Sequence, residues 1–203
     1  MKIYTLNGIY IDDSTPSNIE NFSLAIPNNT TKPNNKNIIL IIRGHIRNSF
    51  DDDKLYNLIK KISSNYNIEI FIHTWHIQQS SISWRDIQQI NNIITPEIIY
   101  NYFKDLKDFI KNIIIDNDNN IKLIGNTKGT IGTKCPVIGW KRYIYGLFKI
   151  IDNVRHFTTN EFILNIRFDV LSNSSVMNEE QIINFININI NNQFKKIFLY
   201  III

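Results

Sequence analysis

From position 37 onward two rhythms of apolar residues alternate along the chain. Ile38-Ile39-Leu40-Ile41-Ile42 is an unbroken, mostly β-branched run that stops at Arg43-Gly44-His45. A run without polar alternation predicts a strand buried on both faces. Leu55, Leu58, Ile59 and Ile62 then recur at helical spacing behind Asp51-Asp52-Asp53, acids suited to a helix start. Ile68-Glu69-Ile70-Phe71-Ile72 returns to strand. The order strand, helix, strand predicts a βαβ unit, whose crossover makes the two strands parallel.

The remaining pattern extends this alternation. Residues 83–90 and 98–109 carry helical spacing, the second stretch opened by Thr95 as N-cap and Pro96 at the first helical position. Asn117–Asn120 closes that region, and Ile121-Lys122-Leu123-Ile124 predicts a third, shorter strand. Gly125, Gly129 and Gly132 mark a mobile loop that ends at Pro136, and residues 140–155 predict a helix with Tyr143, Leu147, Ile150 and Ile151 on one face. Residues 162–170 predict another strand, followed by a capped helix from about Asn178 and a final apolar strand. Residues 1–36 differ: three prolines and polar clusters predict an N-terminal extension, with a possible hairpin over residues 1–12 around Asn7-Gly8. Residues 37–203 then form a single domain.

Composition changes little in this picture. Of 203 residues, 43% are apolar and 20% charged, as in folded globules. Ile and Asn together make up roughly a third of the chain, so Asn-rich stretches carry little functional signal. Twenty-two basic and 18 acidic residues leave a net charge of +4, with Lys and Arg scattered. A nucleic-acid surface calls for a clustered stripe, so a small phosphorylated ligand fits better and nucleic acid is not the expected partner. The single Cys135 excludes an intrachain disulfide and points to a reducing compartment. No run in this chain is long enough to span a membrane.

Candidate chemistry gathers where strands end. Ligands of open parallel sheets bind beyond the carboxyl ends of the strands, which places Arg43, Gly44, His45 and Arg47 at the expected mouth. Guanidinium groups match phosphate oxygens, and Gly44 lets the backbone approach a ligand. The second strand ends in His73-Thr74-Trp75-His76: Trp75 is suited to stacking on a base or sugar, a histidine to phosphate binding or proton transfer. A satisfied structural histidine is the commoner outcome at such a position, and zinc at His73 and His76 lacks a third ligand. Trp84-Arg85 and Trp140-Lys141-Arg142 join indoles to cations, as substrate contacts or as core aromatics beside solvated charges. Arg167 and Asp169 sit at i and i+2, on one face of a strand, and form either a salt bridge or a site for diphosphate and cation.

The succession of a strand ending in Arg-Gly-His-Ile-Arg, a strand ending in Phe-Ile-His-Thr-Trp, then Ser83-Trp84-Arg85, and Arg-Phe-Asp after a helix is similar to a group of glycosyltransferases from bacterial surface-polysaccharide clusters and large DNA viruses, over about residues 37–172. The resemblance implies an α/β, Rossmann-like (GT-A-like) fold with a mostly parallel sheet flanked by helices. It implies a nucleotide sugar as donor, a glycan or protein acceptor, and the cytoplasm of a bacterium or infected host cell. Arg43, Gly44, His45, Arg47, Thr74, Trp75 and Arg167 would contact the donor. Arg167-Phe168-Asp169 corresponds to an Asp-x-Asp motif, with Asp169 as catalytic anchor for Mn²⁺ or Mg²⁺. Arg167 replaces that motif's first aspartate, and a cation there neutralises diphosphate directly, which leaves metal dependence open. The base for the acceptor hydroxyl is one of His45, His73 and Glu161. Two other readings remain beside transfer: a non-catalytic α/β binding or scaffold domain, and another nucleotide-dependent transferase.

Overall fold

In the computed structural model, the described residues are 36–79, 89–132, 135–154, 162–172, 177–191 and 198–200. The hairpin expected over residues 1–12, Trp84-Arg85 and Glu161 lie outside them.

The continuous apolar run forms β1 (Asn37–Arg43), followed by α1 (Lys54–Asn65) and β2 (Asn67–Trp75). A small antiparallel ribbon, β3 (Ile77–Gln79) with β4 (Gln89–Ile93), leads into α2 (Pro96–Phe103) and a 3-10 turn (Lys104–Phe109). Then come β5 (Ile110–Asp116), a second ribbon of β6 (Thr130–Ile131) and β7 (Cys135–Pro136), and α3 (Val137–Val154). The chain continues through β8 (Phe162–Arg167), α4 (Glu179–Asn191) and β9 (Phe198–Tyr200).

Five strands make one sheet in the order β5-β2-β1-β8-β9, and every pairing in it is parallel. This is the Rossmann-like α/β arrangement: the chain builds outward from β1 to one edge, then returns to β1 and builds toward the other. The strand order therefore reverses between β1 and β8, where Arg43 and Arg167 are register partners. Crevices at such a reversal are where open α/β sheets take their ligands.

Burial on both faces explains the unbroken apolar run. Ile38, Leu40 and Ile42 share a core with Leu58 and Ile62 of α1, Ile99 and Phe103 of α2, and Ile182 and Ile186 of α4. Ile39 and Ile41 point to the opposite face, where Phe71, Ile114, Ile150 and Val154 form a smaller core beneath α3. Alternation along the strands carries this division to their ends. It delivers Arg43 to the α3 side of the sheet, where its contacts lie.

The structure departs from the expected elements in the middle of the chain. The third core strand is β5, not residues 121–124, which contribute no extended strand. Ile113-Ile114-Ile115 is β-branched and completes the sheet edge against β2, and this pairing outweighs the helical phase inherited from α2. Gln89 and Ile90 belong to β4 rather than to a helix. β8, expected over residues 162–170, ends at Arg167, so Asp169 lies in the turn that follows and not on the strand face.

Candidate functional site

The mouth is built from the loop after β1. Gly44 adopts φ +102°, open to glycine and strained for other residues. Its N–H donates to the His73 carbonyl at 3.1 Å, and its carbonyl accepts the Thr74 hydroxyl at 2.9 Å. These two bonds fasten the loop to the end of β2. Arg47 also has a positive φ, 54°, and its carbonyl accepts from the Gln78 side chain at 2.5 Å. The loop is thus held between β2 and the β3–β4 ribbon, which fixes the direction of the Arg47 side chain.

Arg43 is 3% exposed. Its Nε donates to Asn165 Oδ1 of β8 at 2.8 Å, one Nη donates to the Tyr143 carbonyl at 3.2 Å, and the guanidinium lies 3.6 Å from the centre of the Tyr143 ring. It knits β1, β8 and α3 together. Arg167 ends β8 and forks onto Asp169, with Nε to Oδ1 at 2.7 Å and Nη2 to Oδ2 at 2.6 Å. Arg47 reaches the same carboxylate, Nη1 to Oδ2 at 3.1 Å. Arg142, from the first turns of α3, pairs with Asp118 at 3.0 Å.

His45 registers the charge around it. Burial above all, and then the positive fields of Arg47, Arg142, Arg167 and His73, hold its pKa down at about 3. The imidazole is therefore neutral at ordinary pH, and its buried Nδ1 has no hydrogen-bond partner among the described residues. Burial also lowers the pKa of Arg47, with Arg167 acting in the same direction and Asp169 opposing them. Three arginines from three segments thus surround one neutral imidazole where the strand order reverses. Such a place favours an anion, since a second cation is resisted there.

Not all the expected residues face this mouth. His73 is 1% exposed: Nε2 lies 3.1 Å from Asp116 Oδ2, and the other side of the ring rests on Gly146, where an added Cβ would stand 2.6 Å from Nδ1. It is enclosed, and out of reach of an acceptor hydroxyl in this conformation. Trp75 is buried among His73, His45 and Tyr145, at ring distances of 5.1, 5.8 and 6.1 Å. It supports the floor and offers no open face for stacking. Thr74 is fully buried, its hydroxyl engaged with Gly44. Arg47, Arg167, His45 and Asp169 do come together.

The chemistry expected of Asp169 as a metal anchor is not met by its surroundings. Both of its oxygens accept from guanidinium groups, and a divalent cation bound there would lie against Arg47 and Arg167. Among the described residues no three His, Cys, Asp or Glu side chains converge as a metal set. The donor set does not fit Mn²⁺ or Mg²⁺.

Several residues of the site escape sequence reading. Asn165 reads as an ordinary strand residue and Asp116 carries no signal, while Arg142 stands out only as a cation near Trp140 and Tyr143 as part of an amphipathic helix. Their roles arise because the start of α3 packs beside the strand ends. Lys141, in the same turn, is buried with its ammonium on the Ile124 carbonyl, which holds the 117–132 segment to the helix.

Fold and site together define a Rossmann-like α/β domain with an arginine-lined mouth at its switch point. No protein-family model, curated protein or solved structure matches the chain. Among the described residues no helix is long and apolar enough to cross a membrane.

Proposed function

We propose that the chain is a glycosyltransferase that moves a sugar from a nucleoside-diphosphate sugar to a glycan or glycoprotein acceptor, with the donor diphosphate seated at the switch-point mouth. The observation that carries this reading is the convergence of Arg47 and Arg167 on Asp169, next to the neutral His45 and beyond the ends of β1 and β8. The strand-end motifs that resemble glycosyltransferases supply the class of substrate. Departure of a nucleoside diphosphate builds negative charge on its terminal phosphate. Guanidinium groups held in place before reaction stabilise that charge without reorganising. Arg47, Arg142 and Arg167 take this role, and Arg43 positions the β1 end by binding Asn165 and Tyr143. His45 keeps a buried Nδ1 with no hydrogen-bond partner among the described residues beside these guanidinium groups.

A second reading, a non-catalytic nucleotide-binding domain, is favoured by the enclosure of His73, which withdraws that histidine from the candidates for the base. Donor hydrolysis and transfer assays with UDP, GDP, CMP and TDP sugars separate the two. Transferase chemistry gives product with at least one donor, and Arg167→Ala lowers kcat/KM by about tenfold or more, the scale of one lost charge-stabilising contact. Binding of a donor without turnover would establish the second reading instead.

A further inference from the structure

The expected role of Asp169 and its actual surroundings point in opposite directions. As a metal anchor, the carboxylate needs free oxygens facing a cation, with further hard oxygen ligands around it. Here Oδ1 accepts from Arg167 and Oδ2 accepts from both Arg167 and Arg47. The residue is 5% exposed, so these contacts are little screened by water. The carboxylate spans two guanidinium groups that would otherwise repel one another, one from the β1 loop and one from the end of β8.

We infer that this mouth binds the diphosphate of its ligand without a divalent cation, with Arg47 and Arg167 as the phosphate-binding groups and Asp169 as the counter-charge that positions them. The inference rests on the reading of the mouth as a nucleotide-sugar site and specifies how that site handles charge. Two further observations support it. Arg142 of α3, ion-paired with Asp118, adds its positive field at His45, and His45, packed on Trp75, carries a buried Nδ1 with no partner among the described residues. An anion meets two guanidinium groups from two segments; a cation meets the same two arginines and a carboxylate already engaged by both.

Asp169 therefore behaves oppositely under the two accounts. A metal anchor loses diphosphate binding when its charge is removed. A counter-charge, once neutralised, leaves the two arginines with more field to offer an incoming phosphate. Asp169→Asn keeps the shape and removes the charge.

The test is isothermal titration of the whole chain with inorganic pyrophosphate, in excess EDTA and again in Mn²⁺. The expected result is binding in EDTA, weakened by about tenfold or more in Arg167→Gln and tightened by about threefold in Asp169→Asn, as expected for removing one like charge near a phosphate. Binding that requires Mn²⁺, or that Asp169→Asn abolishes in a variant whose circular dichroism and melting are native, overturns the inference. Failure of pyrophosphate to bind in either condition overturns it as well. If Asp169→Asn does not fold, the wild-type comparison of EDTA with Mn²⁺ decides alone. Donor turnover that strictly needs Mn²⁺ sinks the inference while leaving the glycosyltransferase reading intact. Pyrophosphate binding in EDTA without turnover of any sugar donor does the reverse.

Discussion

Gly146 shows how closely a single residue can be tied to the floor of the mouth. It lies in α3 against the His73 ring, and a methyl group there would overlap Nδ1 and Cε1 at 2.6 and 2.7 Å. Alanine is the better helix former, so an exposed site would gain stability from the change. Here overpacking dominates, and Gly146→Ala should lower stability by about 1–3 kcal/mol in urea unfolding. An unchanged midpoint would show that the ring can shift. His45 makes a second residue-scale prediction. Its folded pKa of about 3 lies below the ordinary value of 6.5, so between these pH values the unfolded chain binds more protons than the folded one. Stability from this group is complete above pH 6.5 and declines as the pH falls toward 3. From pH 6.5 to 5 the loss is about 2 kcal/mol, and His45→Gln should flatten that part of the profile. The sequence exposes His45 and Arg47 because they follow an apolar run. It conceals the isolation of His73, since nothing along β2 reveals that Asp116 and Gly146 will meet its ring from two other segments.

At the scale of elements, periodicity carries β1, α1, β2, α3, β8 and the closing β9, each close to its expected place. Thr95 and Pro96 open α2 as their capping chemistry requires. Asn178 opens α4 in a reciprocal arrangement: its side chain accepts from the Gln181 N–H at 2.9 Å, and the Gln181 side chain accepts from the Asn178 N–H at 2.9 Å. Asn178→Ala should therefore cost about 1 kcal/mol, measured as a lower urea midpoint, whereas Asn178→Ser should cost less. Equal losses would show that the side-chain cap contributes little. β5 is the element that periodicity misplaces. Ile110 and Ile113–Ile115 read equally as the end of a helix or as a strand, because a short apolar run fits both periods. Pairing with β2, from Ile70 to Trp75, decides the matter, and that partner is some forty residues away. The start of α3 poses the same difficulty for the site: its amphipathic pattern shows which face is buried but not that Arg142 and Tyr143 lie beside the strand ends.

For the whole molecule, the strand order β5-β2-β1-β8-β9 is what turns scattered cations into a site. The chain is only mildly basic, and Arg47, Arg142 and Arg167 are far apart in sequence. Reversal of strand order at β1 and β8 brings Arg47 and Arg167 onto one carboxylate, and the field of Arg142 reaches the same His45. These charges are largely buried, so ligand binding at the mouth should weaken only modestly with salt, as read by titration at low and high ionic strength. The central claim is that this mouth holds a nucleoside-diphosphate sugar. Thermal unfolding of wild type and Arg167→Ala against UDP, GDP, CMP and TDP sugars tests it most directly. A ligand at a hundred times its Kd stabilises the fold by about 2.7 kcal/mol. The expected result is a clear rise in Tm with at least one sugar nucleotide, cut to about half or less in Arg167→Ala by a tenfold or greater loss of affinity; no rise across the panel, or a rise undiminished by loss of Arg167, would contradict it.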